Sequence, residues 1–226
     1  MNDVYLGWVW SRSRLTRTWW IQSGGAALAA TLFGLILEHR ASPSSSRINT
    51  LLTFTLGLIL PLLTWATASQ LFPNGLFASL APIATHGASR RGLLLGAGLR
   101  ALSGATAIVL GSTVVVFLLG GSARAGNFGA LLIGTWIAVL GAVAYTAWFL
   151  LGSSFGSRAQ GRWVFLALDW LLGSSASALA LPWPRGHLRN LLGGESVANL
   201  EQPAATLTLT LLILVYLGLT CVRTPR

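Results

Sequence analysis

Long apolar stretches alternate with short polar connections along the whole chain, and this pattern predicts membrane-spanning helices. A helix needs about 20 mainly apolar residues to cross a bilayer. Six stretches meet this requirement, at about 19–37, 48–68, 92–119, 127–151, 163–181 and 204–222. We therefore expect an all-α, polytopic membrane protein with six transmembrane helices, in which residues 1–226 form a single transmembrane domain.

The first 18 residues have a different pattern, because apolar side chains alternate there with Arg12, Arg14 and Arg17. Such a segment is typical of an amphipathic helix that lies in the membrane interface. The apolar run that follows is long enough to span, and more spans come after it. We therefore expect a first transmembrane helix there and not a removable signal peptide.

A polar interruption over residues 69–91 separates the second and third predicted spans. It begins with the turn signal Pro73-Asn74-Gly75, and apolar residues then recur at helical spacing. This predicts a short helix at about 75–86, with Gly87 closing it in a left-handed conformation. The helix either connects two spans at the membrane surface or docks a soluble partner. Docking would use Leu76, Phe77, Leu80, Ile83, His86, Arg90 and Arg91, with Phe77 and Leu80 filling a groove on that partner.

Composition agrees with a membrane protein, since 54% of the residues are hydrophobic and only 9% are charged, against roughly 25% in soluble domains. The net charge of +10 could indicate nucleic-acid binding, but a positive-inside bias explains it better. With the N terminus inside, the cytoplasmic arginines are Arg12, Arg14, Arg17, Arg90, Arg91, Arg158, Arg162, Arg223 and Arg226, and the external ones are Arg40, Arg47, Arg124, Arg185 and Arg189. We therefore expect a multi-pass protein of the plasma (inner) membrane with both termini cytoplasmic and no nucleic-acid partner.

The residue types that are missing exclude several kinds of chemistry. The chain contains no lysine, which excludes a Walker A nucleotide-binding loop and Schiff-base catalysis. A single cysteine, Cys221, excludes an internal disulfide. His39, His86 and His187 all fall in predicted loops, and no His-Glu-x-x-His motif is present. We expect no catalytic residue, no metal site and no cofactor.

Two ionisable residues, Arg100 and Asp169, fall within predicted spans. Both spans enter from the cytoplasmic side, and a rise of 1.5 Å per residue places the two side chains at similar depths of ~10–12 Å. Charges within a bilayer usually face the protein interior and are paired. We expect Arg100 and Asp169 to form an ion pair or to share a polar network. A role in substrate contact or gating, or snorkelling of Arg100 to the surface, are the alternatives.

The last external stretch, residues 182–203, holds a Pro-Trp-Pro sequence, an amphipathic run from His187 to Leu192, and Gly193-Gly194. This predicts a short helix on the outer interface that ends at the glycines.

Residues 78–96 read Ala-Ser-Leu-Ala-Pro-Ile-Ala-Thr-His-Gly-Ala-Ser-Arg-Arg-Gly-Leu-Leu-Leu-Gly. Together with an N-terminal interfacial helix and six spans, this segment resembles the coupling-helix region of the permease subunits of type-2 ABC exporters. The resemblance in architecture covers the whole chain, whereas the local motif covers about 20 residues. In that family the first cytoplasmic loop contacts the nucleotide-binding subunit, and a partly inserted external hairpin precedes the last span.

The resemblance implies a membrane-spanning subunit of an ATP-driven exporter that is not itself an enzyme. An ATP-binding cassette protein would dock on the 75–89 segment, and a second permease copy or a paralogue would complete the pathway as a dimer within membrane lipids. By the same resemblance, residues 182–203 would be the external element. The alternative is a non-transporting membrane scaffold or accessory subunit of a larger complex.

Overall fold

The computed structural model describes residues 2–15, 52–119, 128–156 and 160–224, together with residues 19–21, 23–25, 27, 28 and 32. Regular structure in these residues is entirely helical. The helices are α1 (Asp3–Arg14), α2 (Leu60–Leu71), α3 (Leu76–Ala84), α4 (Arg90–Leu119), α5 (Phe128–Ser153), α6 (Gly161–Leu172), α7 (Pro184–Leu191) and α8 (Gln202–Arg223). A π-helix at Thr55–Ile59 leads directly into α2, and short 3₁₀ helices lie at Ala178–Ala180 and Val197–Asn199.

Among the described residues, four segments are long and apolar enough to cross a membrane: Leu52–Ala84, Arg90–Leu118, Phe128–Ser153 and Gln202–Arg223. They contain most of the predicted second, third, fourth and sixth spans. The first of them is interrupted after Leu71, where the chain turns before α3 begins. Most of the predicted first span, 19–37, lies outside the described residues, although the described positions within it are helical. The chain is thus an all-helical, membrane-embedded protein.

The predicted fifth span, 163–181, is not a continuous helix. Helix α6 ends at Leu172, and its 12 residues rise about 18 Å, short of the ~30 Å thickness of the hydrocarbon core. Gly173 and several serines follow, and these residue types favour turns over helix interiors. Mean hydropathy does not distinguish an unbroken helix from an apolar stretch that contains turns. The predicted span therefore extends beyond the residue at which the helix ends.

Helix α5 lies at the centre of the bundle and packs against α2, α4, α6, α7 and α8. Its second half is almost entirely buried, from Leu140 to Ser153. Because a central helix must bury all of its sides, this part of the sequence is apolar all round and shows no helical periodicity. In this buried half, Tyr145 and Trp148 hydrogen-bond to α6, whereas Ser153 bonds to Phe149 O within α5.

Helix α1 lies against the first turns of α4 with the two backbones in close contact. A Cβ atom added to Gly7 would lie 2.2 Å from the Leu93 carbonyl oxygen, and one added to Gly96 would lie 1.9 Å from the Val4 carbonyl oxygen. Only glycine allows this approach, as at other contacts between membrane helices where small residues let backbones come together. The predicted N-terminal helix is therefore present and is fixed to α4.

Hydrogen bonds identify which helix ends lie together. Arg162 at the start of α6 donates to Phe72 O after α2, Arg223 of α8 donates to Ser154 Oγ after α5, and Arg91 of α4 donates to Thr224 O after α8. We call this end of the bundle the turn end, because it carries the connection between α2 and α4. The other end, where α4 ends and α5 and α8 begin, is called the far end.

Candidate functional site: the turn end and a buried polar network

Helix α3 directs its most apolar side into the protein. Gly75 precedes it with a φ of +88°, a conformation that glycine adopts without the penalty of a Cβ atom. Leu76 and Leu80 are 0% exposed and belong to the hydrophobic core, while Phe77 and Ile83 are partly buried against that core. Leu76 and Leu80 are therefore not accessible to a docking partner. Helical periodicity shows that a face is apolar, but it does not show whether that face contacts the same chain or another one.

The opposite side of this segment is exposed. Its exposed residues are Ala78, Pro82, Thr85, His86, Gly87 and Ser89, which we call the turn surface. Thr85 Oγ1 donates to Pro82 O at 2.7 Å, and His86 Nδ1 lies 2.9 Å from the same oxygen. Because a carbonyl can only accept, Nδ1 carries a hydrogen in this contact. Of the seven predicted docking residues, His86 is the one that lies fully on this exposed side.

Hydrogen bonds join the segment that carries the turn surface to α1, to the start of α4 and to the residue after α8. Ser89 Oγ accepts from Gly92 N at 3.2 Å and so caps the start of α4. Ser89 N donates to Asp3 Oδ2 of α1 at 3.1 Å. Hydrogen bonds from Ser89, first from its side chain and then from its backbone, lower the pKa of the Asp3 carboxyl. Arg90 and Arg91 are half-buried, and Arg91 Nε donates to Thr224 O at 3.4 Å.

Arg100 and Asp169, which we expected to form a pair, have different partners. The Arg100 guanidinium carbon lies 5.3 Å from the ring centre of Trp8 and 6.0 Å from that of Trp20, within the range of cation–π attraction. Asp169 is completely buried and accepts from Tyr145 Oη at 2.8 Å and from Arg185 N at 3.1 Å. No ion pair joins Arg100 to Asp169 among the described residues.

Asp169 completes the start of helix α7, although it lies on α6. Arg185 is the second residue of α7, and the backbone N–H groups of a helix's first turn have no partner within the helix. The Asp169 carboxylate accepts one of them, and its charge also suits the positive end of the helix dipole. The Arg185 side chain then donates from Nη1 to Gly57 O at 3.0 Å in the π-helix. This buried network thus joins α5, α6, α7 and the π-helix.

Helix α7 is part of a segment that re-enters the bundle from the far end. Ala198 N donates to Ala176 O at 2.9 Å, so residues near 176 lie beside the chain just before α8. The chain then turns inward, and Tyr216 Oη donates to Pro182 O at 2.5 Å. Helix α7 also packs against α5, α6 and α8. The predicted helix within 182–203 is therefore present, and it is packed among the other helices of the bundle.

The predicted glycine end of this helix is confirmed. Gly193 has a φ of +81°, Gly193 N donates to Asn190 O at 3.0 Å, and Gly194 N donates to Arg189 O at 2.9 Å. These bonds satisfy the last carbonyls of α7 in the way that a left-handed glycine cap does. His187, predicted to lie in a loop, is 0% exposed within α7, and its Nε2 lies 2.8 Å from Leu181 O.

Arg162 joins the start of α6 to the end of α2. It is 5% exposed, and its Nη1 donates to Ala68 O at 2.5 Å and to Phe72 O at 2.8 Å. Each of these carbonyls also accepts a backbone N–H, from Phe72 and from Gly75 respectively. The guanidinium therefore adds a second hydrogen bond to each carbonyl, which has two lone pairs.

Tyr145, Arg162 and Arg185 were not predicted to be functional residues. Tyr145 lies in an unbroken apolar stretch, and both arginines were assigned to aqueous loops because they flank apolar runs. One available signal was the Pro182-Trp183-Pro184 sequence, since a proline pair fixes the backbone before a helix start. An isolated carboxylate such as Asp169 is a suitable partner for that start.

Comparison of the chain with protein-family models, with curated proteins and with solved structures gives no match.

Proposed function

We propose that the chain is the membrane-spanning subunit of an ATP-driven exporter, coupled to a separate nucleotide-binding protein through residues 75–89. One observation supports this most directly. The exposed turn surface is bonded through Ser89 to the start of α4 and to α1, and Arg91 continues this connection to the end of α8. A partner that moves the turn surface would therefore move three helices together.

The absence of lysine from the sequence assigns ATP hydrolysis to the partner. A Walker A lysine binds the β- and γ-phosphates, and this chain has none to contribute. In the proposed complex an ATP-binding cassette protein closes on ATP, and the membrane subunit converts that closure into a helix movement. The membrane subunit is then not an enzyme, and it needs no cofactor of its own.

The proposal includes six crossings with both termini in the cytoplasm of the plasma (inner) membrane. Helix α5 ends at the turn end, whereas α8 begins at the far end. The chain between them must therefore traverse the bundle, and α6 together with residues 173–177 is the segment that does so. This broken segment counts as the fifth crossing, and the predicted helix at 19–37 counts as the first. A second copy or a paralogue completes the pathway as a dimer.

The turn surface offers direct variants. We expect His86→Glu and Ala78→Glu to abolish co-purification of a nucleotide-binding protein in mild detergent, as detected by mass spectrometry, because both place a charge on exposed positions without disturbing the core. Ser177→Glu is the matched control, since it adds the same charge at an exposed position near the far end. The control should retain the partner and the ATPase activity that the partner shows in the complex.

Two results would contradict the proposal: that no nucleotide-binding protein co-purifies with the native chain, or that both turn-surface variants retain it with unchanged ATPase activity. A non-transporting scaffold gives a third pattern, in which a partner binds at the turn surface but the complex does not couple ATP hydrolysis to any transport in vesicles.

A further inference from the structure

A cleft between α4 and α8 opens on the side of the bundle, with α5 as its floor. Its volume is about 150 Å³, and its lining is almost entirely apolar. Leu99 on α4, Ala147 and Leu150 on α5, and Leu217 and Cys221 on α8 are among the lining residues. Since all three helices are long and apolar enough to cross a membrane, the open side of this cleft faces lipid.

The cleft is open because one wall and the floor carry small side chains. Gly98 on α4 faces Leu150, and a Cβ atom added to it would lie 3.1 Å from Leu150 Cδ1. Ala147 contributes a single methyl group from the floor. The outer rim is formed by larger side chains, of which Leu95 and Leu99 are 49% and 50% exposed. The rim therefore borders a recess of the size and apolar character that binds a benzene-sized molecule, roughly six carbon atoms.

An arginine lies just beyond the cleft at the turn end. Arg91 precedes the lining residue Leu95 by one helical turn and donates from Nε to Thr224 O after α8, so its side chain reaches from one wall to the other. From Leu94 to Leu102, the first and last lining residues on α4, the cleft follows the helix for about 12 Å. A ligand that fits this site has an apolar tail of several carbons, which lies in the cleft. It also has an anionic group, which lies beside the Arg91 guanidinium at the level of the membrane headgroups.

We propose that this cleft binds one acyl chain of an anionic phospholipid from the leaflet at the turn end, with its phosphate at Arg91. This assignment does not depend on the exporter function. An empty apolar recess facing lipid leaves its lining without contacts, and the neighbouring acyl chains are the molecules available to fill it. Lipid tails are as apolar as leucine, so the tail alone gives little selectivity. The guanidinium supplies the preference for a negative headgroup.

The single cysteine of the chain, Cys221, lines the cleft and reports on its occupancy. The full chain is purified in an uncharged detergent, and the rate of Cys221 modification by N-ethylmaleimide is measured with added lipid. We expect phosphatidylglycerol to slow modification at about fivefold lower concentration than phosphatidylcholine with the same chains, because one basic residue near a membrane contributes ~1 kcal/mol. Deacylated glycerophosphoglycerol should give no protection, since it has no tail.

Three variants test the two parts of the site. Arg91→Gln should remove the preference for phosphatidylglycerol, and Arg91→Lys, which keeps the charge, should retain most of it. Arg12→Gln is the matched control, because Arg12 is exposed on α1 at a position that does not line the cleft. Leu99→Trp places a bulky ring at the rim, so modification should be slow without lipid and insensitive to added lipid. Gel filtration verifies that each variant remains folded.

The proposal is overturned if the two lipids protect Cys221 equally in the native chain, or if Arg91→Gln leaves the preference unchanged. Protection by the deacylated headgroup alone would mean that the tail does not occupy the cleft. Protection that rises with protein concentration and not with lipid would show that a second copy of the chain covers it, which also contradicts the proposal.

Discussion

The end of α2 and the start of α7 are both buried helix ends that bind a charged side chain, and the two charges are opposite. At the end of α2 the Arg162 guanidinium donates to two carbonyls, each of which also accepts a backbone N–H. At the start of α7 the Asp169 carboxylate accepts from the Arg185 N–H, which has no partner within the helix. Each charge also suits the helix dipole at that end.

The two helix ends differ in how much depends on the charged residue. Arg162 faces neutral carbonyls that also have backbone donors, so its removal would leave neither an unpaired carbonyl nor an isolated charge. Asp169 accepts from Tyr145 Oη as well as from Arg185 N. Its removal would leave a buried hydroxyl and a buried N–H without an acceptor. The comparison indicates that a charged cap is replaced more easily when its partners are all neutral.

The largest effect is therefore expected for Asp169→Leu. Leaving one partner of a buried charged network unpaired destabilises a protein by about 3–5 kcal/mol, and we expect this loss in the free energy of unfolding. Thermal unfolding in detergent, followed by fluorescence-detected gel filtration, measures it. Asp169→Asn is the matched control, since an amide oxygen still accepts from Arg185 N, and it should lose less than half as much. Equal losses for the two variants would show that hydrogen-bond acceptance is not what matters at this position.

A smaller loss is expected for Arg162→Met, which keeps the apolar stem of the side chain and removes its donors. Hydrogen bonds to charged groups contribute roughly 1.5–3 kcal/mol each, and because the two carbonyls share one donor atom we expect about 2–4 kcal/mol in total. The same unfolding assay applies, with exposed Arg12→Met as the control that should remain within about 0.5 kcal/mol of the native chain. A larger loss for Arg162→Met than for Asp169→Leu would contradict the inference that a charged cap is replaced more easily when its partners are all neutral.

The smallest effect concerns Asp3, whose exposed carboxylate accepts from Ser89. Its pKa lies below the usual 3.8, so the stabilisation is present above that pH and is lost as the pH falls through the lower, folded-state pKa. In NMR spectra of serine-labelled protein in micelles, the Ser89 amide signal should titrate with a midpoint below 3.8. A midpoint at or above 3.8 would contradict the contact. Asp3→Asn provides the control, since it should remove the titration.

The sequence predicted the long helices well, because about 20 consecutive apolar residues have few alternatives to a membrane helix. Four of the predicted spans correspond to segments that can cross, and the short helix after Gly75 was also predicted. The fifth span was predicted to continue past the end of α6, because the turn-forming residues after Leu172 belong to a stretch whose mean hydropathy is apolar. The helix within 182–203 was predicted to lie on the outer interface, and its burial against α8 was not foreseen, because hydropathy does not report how a segment packs.

Side-chain partners were harder to predict than helices. Asp169 was predicted to pair with Arg100, the other ionisable residue within a predicted span, because the two lie at similar predicted depths. In the structure Asp169 accepts hydrogen bonds from Tyr145 and from the backbone N–H of Arg185. Both donors are uncharged groups, so a search for charged residues in the sequence does not find them. Likewise Leu80 was assigned to a partner because its spacing is helical, whereas it packs in the core. Partner identity depends on tertiary geometry, which local patterns do not contain.

The glycine contact between α1 and α4 has a consequence for the order of synthesis. Gly96 follows Gly7 by about 90 residues, and at 5–20 residues per second a ribosome needs about 4–18 s to add them. During that interval the N-terminal helix has left the ribosome, but the backbone surface that it will pack against does not yet exist. Its two tryptophans, Trp8 and Trp10, favour the membrane–water interface, so the helix can bind there until α4 is inserted.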